Sequence, residues 1–179
     1  MTDTPAAQKH WSIAAIARSL VSHNALASVS THQAVILAQR MRLCSIVKDQ
    51  VLFRAGDTNT DFLAFVLDGE AIVESPGLGA NQAVVLNVVG AGDIVGEMGV
   101  VANIPRSATV TASSDMMVVI MDQAAFAQLV KEAPDMACGF LSSLLQGVTD
   151  RLRESNRKLQ TLSVINKSLF EELEASKRT

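Results

Sequence analysis

The run Gly90-Ala91-Gly92-Asp93-Ile94-Val95-Gly96-Glu97-Met98-Gly99-Val100-Val101-Ala102-Asn103-Ile104-Pro105-Arg106-Ser107-Ala108-Thr109-Val110 decides how this chain reads. A β-type apolar segment runs into Gly96-Glu97, and a short connection ends at Pro105-Arg106-Ser107 before a second strand-like segment. A turn of this kind presents several backbone N–H groups to one small anion. Arg106 adds a planar guanidinium fork that matches phosphate geometry. Glu97 repels phosphate but accepts hydrogen bonds from hydroxyls. These features specify a receptor for something both phosphorylated and hydroxylated, such as a ribose phosphate.

Outward from this run, residues 44–122 alternate short β-rich segments with turns. The segments are Ile46-Val47, Val51-Leu52-Phe53, Phe62 to Leu67, Ala71-Ile72-Val73, Val84 to Val89, Thr109 to Thr111 and Met116 to Met121. Turn residues separate them at Ala55-Gly56-Asp57, Asp68-Gly69, Pro76-Gly77-Leu78-Gly79 and Gly90-Ala91-Gly92. Many short strands without intervening helices predict a mainly β fold of the jelly-roll or double-stranded β-helix barrel type. The nearly unbroken apolar run Phe62 to Leu67 fits either burial on both faces or dense contact with helices.

Helices flank the strands. Ile13, Ile16, Ala17, Leu20 and Val21 recur at helical spacing, and Ser30 with Gln33 forms a capping box that opens a helix to about Arg42. Asp122 is placed to cap a helix from Gln123 to Glu132, and Pro134 suits the first turn of the next. From there to Thr179 the sequence reads helical. Leu145, Leu152, Leu159, Asn166 and Leu173 recur every seventh residue, with Val148, Ser155, Leu162 and Leu169 between them. Cys138 and Leu141 extend that register backwards. This is a heptad seam, predicting a long C-terminal coiled-coil helix. Asn166 at a leucine position favours an in-register parallel homodimer, since a buried Asn needs its symmetry mate. A single amphipathic helix folded back on the strands is the other reading. Ile165 and Phe170 broaden the stripe, as a higher oligomer or a partner helix would require. Gly139 and Gly147 each cost the helix about 1 kcal/mol relative to alanine.

The segment Gly96-Glu97 followed by Arg106-Ser107-Ala108-Thr109-Val110 resembles the phosphate-binding cassette of the cyclic-nucleotide-binding domain family. The likeness includes Val51-Leu52-Phe53-Arg54-Ala55-Gly56-Asp57, Gly69-Glu70 and Gly92-Asp93, and covers about residues 26–150. It implies a helical lid at 1–43, a cyclic-nucleotide-binding barrel with a following short helix at 44–133, and a dimerising helix at 134–179. It also implies that Arg106 pairs with the cyclic phosphate of cAMP or cGMP while Glu97 accepts from the ribose hydroxyl. Gly96, Met98 and Ser107 would complete the anion site, and Val73 and Leu86 would line the apolar wall under the base. Where catabolite-activator-type regulators place a Thr-Ser pair against the purine, this chain carries Arg151-Leu152. Arg151 is thus either a base-stacking residue or a solvated flank of the coiled coil.

Composition narrows the classes. Nearly half the residues are apolar and the net charge is −3, which gives no electrostatic footprint for nucleic acid. The heptads run to Leu173, leaving no room for the winged helix-turn-helix of the family's DNA-binding regulators if the chain is complete. Cys44 and Cys138 lack metal-ligand spacing and read as buried reduced thiols. No segment is long and apolar enough for a membrane span, and no signal peptide is evident, so a cytoplasmic protein is expected. His10, His23 and His32 all precede the β region, so no metal-binding or catalytic cluster forms and no cofactor is expected. The expected function is a non-enzymatic cyclic-nucleotide sensor that signals to a partner through its dimeric helix. The alternative is a ligand-independent dimerisation scaffold.

Overall fold

The computed structural model describes residues 10–22, 26–58, 61–77, 83–102 and 104–176. The first residues of the chain, His23, Leu78-Gly79 of one expected turn and Asn103 of the cassette lie outside them. Helices α1 (Ile13–Ser22) and α2 (Thr31–Arg40) come first. Strands β1 (Arg42–Ile46), β2 (Val51–Phe53), β3 (Phe62–Asp68), β4 (Ala71–Ser75), β5 (Val84–Val89) and β6 (Ile94–Val95) follow. A short helix α3 (Glu97–Ala102) precedes β7 (Thr109–Ala112) and β8 (Met116–Asp122), and helices α4 (Gln123–Glu132) and α5 (Pro134–Ser176) end the chain. It divides into two compact units, Met1–Leu144 and Leu145–Thr179.

Among the described residues of the first unit, eight antiparallel strands make two four-stranded sheets, ordered β1-β8-β3-β6 and β2-β7-β4-β5. The expected closed barrel is corrected here: hydrogen bonding stops at the edges of each sheet. The edge strands β2 and β6, three and two residues long, are too short to carry the pairing onward. The apolar run of β3 is buried on both faces. Leu63, Phe65 and Leu67 join Ile16, Leu20, Leu37, Leu129 and Phe140 in a helix-facing core. Ala64 and Val66, pointing the other way, join Phe53, Val110 and Val118 in a second core. Strict alternation thus lets one strand serve two cores, each large side chain contributing roughly 1.5–3 kcal/mol on burial.

Local signals hold the helices. The Ser30 side chain accepts from the Gln33 N–H while Gln33 accepts from the Ser30 N–H. Asp122 Oδ1 accepts from the Ala125 N–H at 2.8 Å. Helix α2 ends at Arg40, sooner than expected, because β1 takes up the chain at Arg42 to pair with β8. At the start of α5, Met136, Ala137, Phe140 and Leu144 are buried. Gly139 lets this helix approach the loop between α1 and α2 closely: a Cβ there would lie 3.0 Å from the Ser28 carbonyl. Cys138 points outward and is exposed, and Cys44 is half-buried, so the expectation of two buried thiols is corrected. Helical spacing sends 136, 137 and 140 inward and 138 outward.

The described residues of the second unit form one helix, the continuation of α5 to Ser176. Leu145, Leu152, Leu159, Leu162, Leu169 and Leu173 are exposed along it, and so are Ile165 and Phe170. Among the described residues no helix is long and apolar enough to cross a membrane.

Candidate ligand site

The site is built on a sharp reversal. The turn at 90–93 is tied by Asp93 Oδ2 accepting from the Gly90 N–H and by Val66 O accepting from the Gly92 N–H. This sets β6 beside β3, at Ala64↔Val95 and Phe65↔Ile94. The chain then turns through Gly96 at φ +81° into α3, whose first residue is Glu97. The first amides of a helix have no partner within it, so they stand ready for an outside acceptor.

Arg106 arrives from the other side. Its backbone N–H donates to Asp57 O at 2.9 Å, and its carbonyl accepts from the Gly56 N–H at 2.8 Å. The Ala55-Gly56-Asp57 turn is therefore the bracket that holds the cassette. The guanidinium is inside the protein, with Arg106 only 5% exposed. Nη1 donates to Gly96 O at 2.7 Å and Nη2 to Phe62 O at 2.5 Å. Its Cζ sits 4.2 Å from the Phe53 ring centroid and 5.1 Å from that of Phe62. The two rings meet edge to face at 6.0 Å.

Two glycines make room for the fork. A Cβ on Gly96 would lie 2.5 Å from Arg106 Nη1, and one on Gly99 2.8 Å from the same atom. The positive φ of Gly96 adds a second reason for glycine there.

Burial lowers the pKa of Arg106, and the carboxylates of Glu97, Asp57 and Asp61 oppose that shift. Arginine remains charged under these conditions. Glu97 is itself buried, 6% exposed. A dehydrated guanidinium beside dehydrated carboxylate is an arrangement in which electrostatic contacts act strongly.

The structure brings Gly96, Glu97, Met98 and Arg106 to this corner, with Met98 exposed and Ser107 on the surface next to Arg106. Val73 is half-buried against the core between the sheets. Leu86 is 52% exposed, and the pairing register sets Asn87, not Leu86, opposite Val73. Arg151 belongs to the second unit, where it is half-buried on α5. Sequence reading missed Phe53 and Phe62 as the floor under the guanidinium, and Asp57 and Asp61 as its acidic surroundings. Nothing in local spacing links residues 53 and 62 to 106; only the folded sheets do. His10 and His32 are exposed, and no group of metal-ligating side chains occurs among the described residues.

The family model described as cyclic nucleotide-binding domain matches residues 43–133. A cyclic nucleotide-binding domain from Methylobacillus flagellatus KT is similar at 26% identity, with a TM-score of 0.74, over 81% of this chain and 83% of that one. The catabolite activator protein of Thermus thermophilus is 23% identical, with a TM-score of 0.65, over 78% of this chain and 63% of its own. A c-di-GMP-responsive global regulator of Xanthomonas campestris is 20% identical, with a TM-score of 0.66, over 75% of this chain and 65% of its own. The last two likenesses show the fold alone.

Proposed function

This chain belongs to the cyclic nucleotide-binding domain family, and on that premise we propose that it is a cyclic-nucleotide sensor that works as a parallel homodimer in the cytoplasm. The observation that carries the reading is the buried Arg106 facing the turn into α3, with Glu97 buried beside it. The phosphate meets the guanidinium and the amides of Gly96 to Met98, with the Ser107 hydroxyl completing the anion site. Glu97 accepts from the ribose hydroxyl. The base lies toward Val73, with Leu86 and Asn87 on the neighbouring strand. The bonds of the Arg106 guanidinium to Gly96 O and Phe62 O fix the side chain beside the turn into α3. Desolvation of the cation is already met by the fold, so the ligand does not bear that cost again.

Occupancy is passed to a partner protein through α5, to the extent that the nucleotide binds one arrangement more tightly than the other. Calorimetric titration with cAMP, cGMP and cyclic di-GMP tests the reading. Binding of one of them, lost in Arg106→Ala, supports it; equal binding by wild type and variant defeats it.

A second reading has one observation in its favour. Because Arg106 already bonds two backbone carbonyls and stacks on Phe53, the fold itself uses the residue. A scaffold that keeps Arg106 for stability alone would bind none of the three nucleotides, yet would lose melting temperature on Arg106→Ala.

A further inference from the structure

We propose that the distal part of α5, residues 162–173, is a clasp for a second copy of this chain, in which each Ile165 packs on the partner's Phe170 and the two pairs close over facing Asn166 side chains. The inference rests on the dimer reading above and adds the contact that sets its direction and register. Ile165 and Phe170 are 48% and 65% exposed, outside the leucine seam that is itself exposed at Leu162, Leu169 and Leu173. An ordinary two-helix seam would leave both flanks in water.

Heptad geometry explains them. With Leu145, Leu152, Leu159, Asn166 and Leu173 at position a, Ile165 falls at g and Phe170 at e. In a parallel in-register pair, g of one helix meets e of the following heptad on the other. Ile165 then faces the partner's Phe170, and by symmetry the contact occurs twice. The remaining flanks match in kind: Arg151 faces the partner's Asn156, and Lys158 the partner's Ser163. No like charges meet.

The antiparallel choice has a logic of its own. Setting Asn166 opposite the partner's Ser155 places Arg151 opposite the partner's Glu172, an attractive pair. It also puts Ile165 against the partner's Lys158 and Phe170 against the partner's Thr149. An exposed ion pair contributes little, whereas burying an isoleucine against a phenylalanine twice contributes more. The parallel clasp wins. Its apolar lids also dry the Asn166 pair, which makes the Asn–Asn hydrogen bond compulsory and a slipped register costly.

The test uses the full chain. In a Cys44→Ser, Cys138→Ser background, Asn166→Cys should oxidise to an interchain disulfide. In sedimentation, Ile165→Lys alone and Phe170→Glu alone should each weaken the dimer about tenfold or more. The double variant should recover most of that loss, since each lysine then faces a glutamate. A wild-type dimer with no Asn166→Cys cross-link, or a double variant no tighter than the weaker single one, overturns the clasp and leaves the dimer standing. A wild-type chain that is monomeric at roughly 50 μM overturns clasp and dimer together, and nucleotide titration of the first unit is unaffected by either result.

Discussion

The cassette corner and the distal helix treat their difficult residues in opposite ways. At the corner a charged side chain, Arg106, is taken almost wholly out of water and met by carbonyls, aromatic rings and carboxylates of its own unit. Along the distal helix, apolar side chains that belong in a core remain on the surface of theirs. Each departs from the usual rule of charged outside and apolar inside. The first is compensated within one fold; the second has no such compensation within its own helix. On the proposed reading, the matched region is a receptor made in advance and the unmatched one is an interface.

The sharpest break in that contrast is Arg106→Ala. It should abolish nucleotide binding in calorimetry, a loss of at least about a hundredfold for a charge-assisted phosphate contact. It should also destabilise the first unit by about 1.5–3 kcal/mol for each charged hydrogen bond removed, read by urea unfolding. An unchanged binding isotherm would dissolve the receptor half of the comparison.

Gly96→Ala acts on the same corner from the backbone. Positive φ and the clash with Nη1 should cost about 1–3 kcal/mol, seen as a lower urea midpoint with an unchanged slope. If the variant is as stable as wild type, the fork does not sit where Gly96 allows it to sit.

Leu159→Ala addresses the other region. It should loosen the dimer by about 1–3 kcal/mol, visible as a larger dissociation constant in sedimentation, with the first unit's nucleotide affinity retained. Asn166→Leu should do the reverse, raising the dimer's melting temperature while admitting other oligomers; a lower melting temperature with unchanged assembly would contradict it.

The smallest effect is expected at the exposed pair Arg40–Glu132, 2.9 Å apart. The hydrogen bond from Gln128, then that from Arg40, holds the Glu132 carboxyl below its ordinary pKa. A depressed carboxyl pKa stabilises the fold above the unfolded-state value, and that contribution is lost as pH falls through the folded-state value. Glu132→Gln should therefore lower the melting temperature slightly at neutral pH. The difference from wild type should vanish in acid; a difference that persisted there would assign the effect to something other than charge.

Much of the corner was legible because its parts are close in sequence. Gly96-Glu97 and Arg106 lie within one short run, and the turn residues around Gly56 and Gly92 announce themselves by type. Strand β5 and helix α4 were readable to the residue, from an apolar run and from the cap Asp122. Helix α3 was not, because Gly99 and the β-branched Val100 and Val101 argue against a helix and only packing against the sheet overrides them. The neighbours of Leu86 were not readable: a bulge between Val73 and Glu74 shifts the register so that Asn87 stands opposite Val73. A bulge leaves no mark in composition or period.

The order of amino acids by itself determined most of the elements, the cassette's residue types and the heptad spacing of the last helix. These rest on local periodicity, caps and turns, which act over a few residues. Tertiary structure alone decided that Phe53 and Phe62 floor the guanidinium, that β3 serves two cores, and that the strands form two sheets. Those outcomes depend on which distant residues become neighbours, and that is settled by the joint burial of apolar surface rather than by any short stretch of chain.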